Sequence, residues 1–210
     1  MAELFSILYL LLFAFSGLGI SRFLFYRDRP LIRIWLGLTF GMLLLVWLPA
    51  LFSFLFGFVL LSQMLALVVA CMLGIVFWLL SRKKSLTAAS WKSELPALIA
   101  CGGLLLVCLI LLSTHTIVER GGALYVGQST YGDLAMHLGF ISSIATQGTF
   151  PPMYSICADK AVSYPFLSES VGATFYLFGT SLRFATMLTA AYAFLLAIFG
   201  AYCFLEEWLG

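Results

Sequence analysis

Apolar runs at residues 4–25, 32–54, 59–80, 95–112, 164–178 and 184–205 alternate with short polar breaks and predict a bundle of hydrophobic helices. A helix crosses about 30 Å of hydrocarbon with roughly 20 apolar residues, so most of these runs have the length of a span. The period-two alternation of a membrane β-barrel is absent. The breaks have local causes. Tyr26-Arg27-Asp28-Arg29-Pro30 ends the first run, because a helix does not pass easily through the proline. Residues 31–80 hold too much apolar sequence for one crossing and enough for two, which places a tight connection between 54 and 59. Trp47-Leu48-Pro49 marks either a kink or a helix end, and Ser62-Gln63 is a polar pair inside the apolar stretch. Pro96 falls in a first turn, where its missing amide proton costs little. Gly102-Gly103 marks close helix packing or a local bend. The run at 164–178 is short for a crossing unless it begins near Tyr164, and otherwise reads as a partly re-entrant helix shielded by protein.

Residues 114–165 form the one long stretch that does not read as lipid-facing helix. Inside it, 134–147 predicts an interfacial helix with Leu134, Leu138, Ile141, Ile144 and Ala145 on a broad apolar side and Ser142, Ser143, Thr146 and Gln147 more exposed. Gly148 supplies its cap, and Pro151-Pro152 forbid continuation. At its start, Ser129 or Thr130 stands at capping-box spacing from Asp133, or Asp133 is itself the cap. Residues 155–163 read as an exposed loop carrying Cys157, Asp159 and Lys160.

Charge orients this bundle. Arg22, Arg27, Arg29 and Arg33 flank the first connector, Arg82, Lys83, Lys84 and Lys92 the third, and Arg183 the fifth. The positive-inside tendency puts these nine of the 11 basic residues on the cytoplasmic side, with Arg120 and Lys160 opposite. The amino terminus and residues 114–165 then face outward. Because the first run opens with Glu3 rather than a basic segment and continues to Phe25, it is expected to be a retained span and not a cleaved signal.

Composition narrows the class further. At 63% hydrophobic and 10% charged over 210 residues, a soluble domain would need an unusually apolar surface. A net charge of +2 carries no footprint for nucleic acid. Cys71, Cys101, Cys108, Cys157 and Cys203 form no CxxC or Cys/His grouping, which argues against a disulfide framework or a structural zinc site. The expectation is a single all-α membrane domain over 1–210: a polytopic bundle of six hydrophobic helices plus an interfacial helix in the outward loop.

Candidate chemistry concentrates in that loop. Asp133 and His137 are four apart, on neighbouring turns of one helix face. So placed, a carboxylate and an imidazole can orient a hydroxyl for deprotonation, bind a divalent ion, or contact a phosphate through a cation. They can equally be a helix cap and its surface partner. Glu169 is either a costly intramembrane carboxylate that calls for a function or a protein partner, or an ordinary first-turn acid. Arg120 is an interfacial anchor or a phosphate contact. Tyr125, Tyr131, Tyr154 and Tyr164 suit an interfacial belt, with stacking on a sugar as the other reading.

Tyr131-Gly132-Asp133, His137, the helix to Gln147, the Phe150-Pro151-Pro152 exit and Tyr164-Pro165-Phe166-Leu167 together resemble membrane-embedded glycosyltransferases of the GT-C type, which use polyprenyl-phosphate sugars. The resemblance covers about a quarter of the chain in detail. It implies transfer of a sugar from a lipid-linked donor to an acceptor on the outer face, with Asp133 as base or metal-positioning acid and His137 orienting the acceptor or the ion. Arg120, Tyr164 and Glu169 become substrate-binding candidates, and a divalent cation, Mg or Mn, becomes the expected cofactor at Asp133. The implied partners are the bilayer and a lipid-linked sugar donor. An additional membrane subunit or a carboxy-terminal part is also expected, because such enzymes have more spans. The expected location is a bacterial inner (plasma) membrane. The reading from a different class is a non-catalytic assembly or structural subunit whose loop binds a partner.

Overall fold

The computed structural model describes residues 1–87, 91–127, 132–157 and 159–209. Five helices are long and apolar enough to cross a membrane: α1 (Ala2–Leu24), α2 (Pro30–Phe56), α3 (Leu60–Ser81), α4 (Trp91–Leu111, continued by a π turn Leu112–Thr116) and α7 (Leu182–Leu209). Two shorter helices, α5 (Leu134–Gln147) and α6 (Leu167–Leu177), and a hairpin of β1 (Ile117–Arg120) and β2 (Ala123–Val126) complete the described elements. Pro30 stands at the start of α2, where it is tolerated, and Pro49 lies inside α2 without ending it. The α2–α3 turn closes at Gly57, whose φ of 81° suits glycine. A Cβ there would come within 2.4 Å of the Gly148 carbonyl oxygen. That carbonyl accepts the Phe58 amide at 2.8 Å, so the turn is docked directly onto the end of α5.

α1 is the axis of the bundle. A Cβ on Gly17 would lie 2.2 Å from backbone atoms of Gly37 and Gly41, and one on Gly74 would lie 2.8 Å from Ser16 Cα. Bare glycines therefore let α2 and α3 approach the backbone of α1, the small-residue contact that packs helices in lipid. The core they enclose includes Tyr9, Phe13, Leu45, Ala66 and Phe175. The pair Gly102-Gly103 has no such role, since no neighbouring atom lies within 4 Å of a Cβ at either position.

The fifth apolar run is the correction to the six-span expectation. Its helix, α6, has 11 residues, about 16 Å at the α-helical rise, half of what a crossing needs. All seven residues from Glu169 to Phe175 are buried, so α6 is shielded by protein, as the short run suggested. With α6 not crossing, Arg183 belongs to the other end of the bundle from the eight cations that flank the first and third connectors. Its guanidinium donates to the carbonyls of Ser113 and Ile117, both at 2.9 Å, satisfying acceptors that the end of a helix leaves open. The start of α1 lies at this same end, where Phe5 packs on Phe178.

At the opposite end, Arg29 is paired with Glu206, with Glu207 at 3.5 Å and with Glu94 at 3.9 Å. This cluster ties the α1–α2 connector to the start of α4 and the end of α7. The hydrogen bond to Glu206 holds the Arg29 guanidinium above its ordinary pKa, so it remains charged at any working pH. The carboxyl end of α7 thus shares an end with Arg22, which bonds Ser81, and with Lys84, which sits over the Tyr26 ring.

Candidate functional site

Helices α5 and α6 build the site at the end that carries residues 113–183. They meet where Gly172 faces Ile141: a Cβ on Gly172 would fall 3.1 Å from Ile141 Cδ1. One turn before this contact on each helix stand His137 and Glu169, and the approach allowed by Gly172 brings them together. His137 Nδ1 lies 2.7 Å from Glu169 Oε1, and the Ser168 hydroxyl donates to Glu169 Oε2 at 2.6 Å. Glu169 is only 8% exposed. Burying a carboxylate is costly unless it is paired and hydrogen-bonded, and here both of its oxygens are engaged. With Nδ1 donating its proton to this carboxylate, the neutral imidazole carries its lone pair on Nε2. Tyr164 sets its ring edge-on to His137 at 5.7 Å, and Phe140 does the same at 6.5 Å.

The pair borders a groove of about 190 Å³ lined by His137, Ile141 and Glu169 and, from α7, by Thr186, Thr189 and Ala193. The hydroxyls of Thr186 and Thr189 bond back to the carbonyls of Leu182 and Ala185, so the α7 wall is apolar despite its threonines. A basic nitrogen, a buried carboxylate behind it and an apolar wall are thus presented together.

Three of the five site residues expected from sequence, His137, Tyr164 and Glu169, come together here. Asp133 occupies the cap position of α5, exposed and without a side-chain cap bond. His137 takes Glu169 as its side-chain partner, and its link to Asp133 is the backbone bond between His137 N and Asp133 O. Arg120 lies on the hairpin, lining a different cavity. Ser129, Thr130 and Tyr131, invoked for capping and for the Tyr-Gly-Asp motif, lie outside the described residues. Among the described residues, no three His, Cys, Asp or Glu side chains are grouped as a metal site.

Sequence reasoning missed three parts of this region. Ser168 is one; a serine adjoining an acid at a helix start was its only signal. Gln147, expected to be exposed, instead clamps the loop: its amide donates to the Met153 carbonyl at 3.0 Å and accepts the Met153 amide at 2.8 Å. Ser143, also expected on the exposed side, is buried and takes a bond from the same amide. The hairpin is the third. Gly121-Gly122 with φ of 58° and 78° joins strands paired from Ile117↔Val126 to Arg120↔Ala123, and Gly-Gly between short apolar segments is a recognised two-residue hairpin signal. The glycine cap at 148 and the exposure of 155–157, 159–161 and 163 are as the sequence suggested, while Val162 in the same loop is buried. No protein-family model, curated protein or solved structure matches the chain.

Proposed function

We propose that this membrane protein is a transferase that activates an acceptor hydroxyl with His137. The observation that carries the reading is the 2.7 Å contact between His137 and the buried Glu169, beside an apolar groove. Glu169 holds the imidazole in the tautomer that leaves Nε2 basic and stabilises the imidazolium formed when that nitrogen takes a proton, the role of an orienting acid behind a general base. The resemblance of Asp133, His137 and the Tyr164-Pro165 region to GT-C type enzymes supplies the donor: a sugar on a polyprenyl phosphate. The acceptor oxygen then attacks the anomeric carbon as its proton passes to His137 Nε2, and the bond from that carbon to the phosphate oxygen breaks, releasing the lipid phosphate. Tyr164 borders the acceptor.

Asp133, exposed and with no cap bond, fits a Mg²⁺ ion held by one carboxylate and otherwise by substrate phosphate and water. Such an ion would supply charge stabilisation to the leaving phosphate. Eight cations at the Arg29 end, from Arg22, Arg27, Arg29, Arg33, Arg82, Lys83, Lys84 and Lys92, support a cytoplasmic assignment for that end and an outward one for the site. Transfer from a defined polyprenyl-phosphate sugar, assayed in proteoliposomes, is expected to fall about 10²- to 10⁴-fold for His137→Gln and for Glu169→Gln at unchanged protein level. Asp133→Asn is expected to lower it and to remove its dependence on added Mg²⁺. Wild-type transfer by His137→Gln would sink the assignment of His137 as base, and absence of transfer by the wild-type protein would favour a non-catalytic assembly subunit.

A further inference from the structure

A second cavity at the site end is separate from the His137 groove. It measures about 580 Å³ and forms where the π turn after α4 meets the hairpin, with Thr114, His115, Val118, Arg120 and Tyr125 in its wall. That volume is in the ordinary range for a small-molecule pocket. π turns are rare and recur at functional positions. Here Thr114 bonds back to the Ile110 carbonyl, and Arg183 draws on the carbonyls of Ser113 and Ile117.

The strand register gives the cavity its charge. Val118 faces Tyr125 across the ladder and Arg120 faces Ala123, so Arg120 and Tyr125 are diagonal neighbours on one face. Glu119 points to the other face, opposite Leu124, because successive strand residues alternate. Neither Arg120 nor Tyr125 has a side-chain partner among the described residues, and none of the cavity's lining residues is acidic. The guanidinium therefore stands uncompensated beside a phenol.

The histidine narrows the ligand. Thr114 gives its hydroxyl proton to the Ile110 carbonyl at 2.6 Å, so at its 2.7 Å contact with His115 Nδ1 it must accept. The neutral His115 ring then offers Nε2 as an acceptor. The cavity thus presents a forked cationic donor, a hydroxyl donor and one acceptor. We infer that the hairpin cavity binds a phosphate group that bears or adjoins a hydroxyl. Arg120 takes two phosphate oxygens in its fork, Tyr125 donates to a third, and His115 Nε2 accepts the ligand hydroxyl. Two sources share this chemistry: free phosphate, and a phosphate headgroup with a glycerol hydroxyl in the adjoining lipid surface. The inference does not rest on transfer chemistry at His137.

The test uses the full chain in detergent micelles, with calorimetric titration of inorganic phosphate against sulfate, and native mass spectrometry of retained phosphatidylglycerol against phosphatidylcholine. Wild type is expected to bind phosphate over sulfate, or to retain phosphatidylglycerol over phosphatidylcholine. The first result identifies a soluble anion and the second a headgroup. Arg120→Gln should weaken the favoured ligand at least tenfold, with Arg120→Lys intermediate because it keeps charge and loses the fork. Glu119→Gln, on the opposite face, should leave binding unchanged. His115→Phe should erase the preference for the hydroxyl-bearing phosphate. Size-exclusion profiles and circular dichroism establish that each variant is folded. Equal binding by Arg120→Gln and wild type, equal losses for Glu119→Gln and Arg120→Gln, or no preference for either probe in the wild type overturns the inference.

Discussion

Helices α1 and α4 are both apolar enough to cross a membrane, and α4 is the more apolar of the two, yet their surroundings are opposite. Half of the most apolar window of α1 is buried inside the protein, against 6% for α4. Hydropathy therefore says which helices enter lipid and not which ones pack. Lipid is as apolar as a leucine side chain, so association in the membrane depends on close backbone approach and on polar ties. α1 has both: glycine contacts to α2 and α3, and the Tyr9 hydroxyl donating to the Gln63 carbonyl at 3.1 Å. α4 has large side chains outward, including Ile99, Leu106 and Ile110. Its main helix neighbour is α7, and its ends are tied by Glu94 near Arg29 and by Arg183 on the π turn.

The contrast is best broken at Gly17. Gly17→Leu would drive a side chain into the backbone of α2 and is expected to cost about 3 kcal/mol or more by overpacking, read as a large fall in thermal midpoint in detergent. A wild-type midpoint would mean that the α1–α2 approach is not what holds the bundle. Next in size is Gln63→Leu. Gln63 is fully buried; it accepts from Thr174 at 3.0 Å and approaches Ser53 at 3.4 Å, tying α3 to α6 and α2. Its loss should cost about 1 kcal/mol, since the inter-helix bonds go while the Thr174 hydroxyl keeps the Ser170 carbonyl at 2.9 Å, measured by reversible unfolding in mixed micelles. Arg183→Met acts on the α4 side: with the Ser113 and Ile117 carbonyls released, amide exchange across the hairpin should quicken roughly tenfold while the α1–α3 amides hold. Smallest of all, Gly102→Leu or Gly103→Leu should stay within about 0.5 kcal/mol of wild type, because no protein atom lies within 4 Å of the added Cβ. A fall comparable to that of Gly17→Leu would reveal a helix seated on α4.

The same distinction separates what was readable in the chain from what was not. Span positions, the α5 helix and its glycine cap followed from apolar length and local stop signals, which act within a few residues. Gly37 and Gly41, spaced as GxxxG in α2, offered a packing signal as visible as Gly102-Gly103 and better placed. Nothing local separates the two, because the test is whether another backbone arrives. A basic residue beside an apolar run usually marks the cytoplasmic end, which in the sequence groups Arg183 with the connector cations. Its actual use as a donor to the Ser113 and Ile117 carbonyls depends on α6 failing to cross. Asp133 and His137 looked like a pair at helical spacing, but His137 had a stronger partner 32 residues further along the chain.

By itself, then, the sequence determined that this is a helical membrane protein and which loop gathers its polar chemistry, since burial in lipid is enforced by length and composition alone. Tertiary structure decided the number of crossings, the partner of His137 and the isolation of Arg120 from Glu119. Each of these depends on contacts between segments far apart in the chain or on strand register, and a one-residue slip of that register would exchange the faces of the arginine and the glutamate.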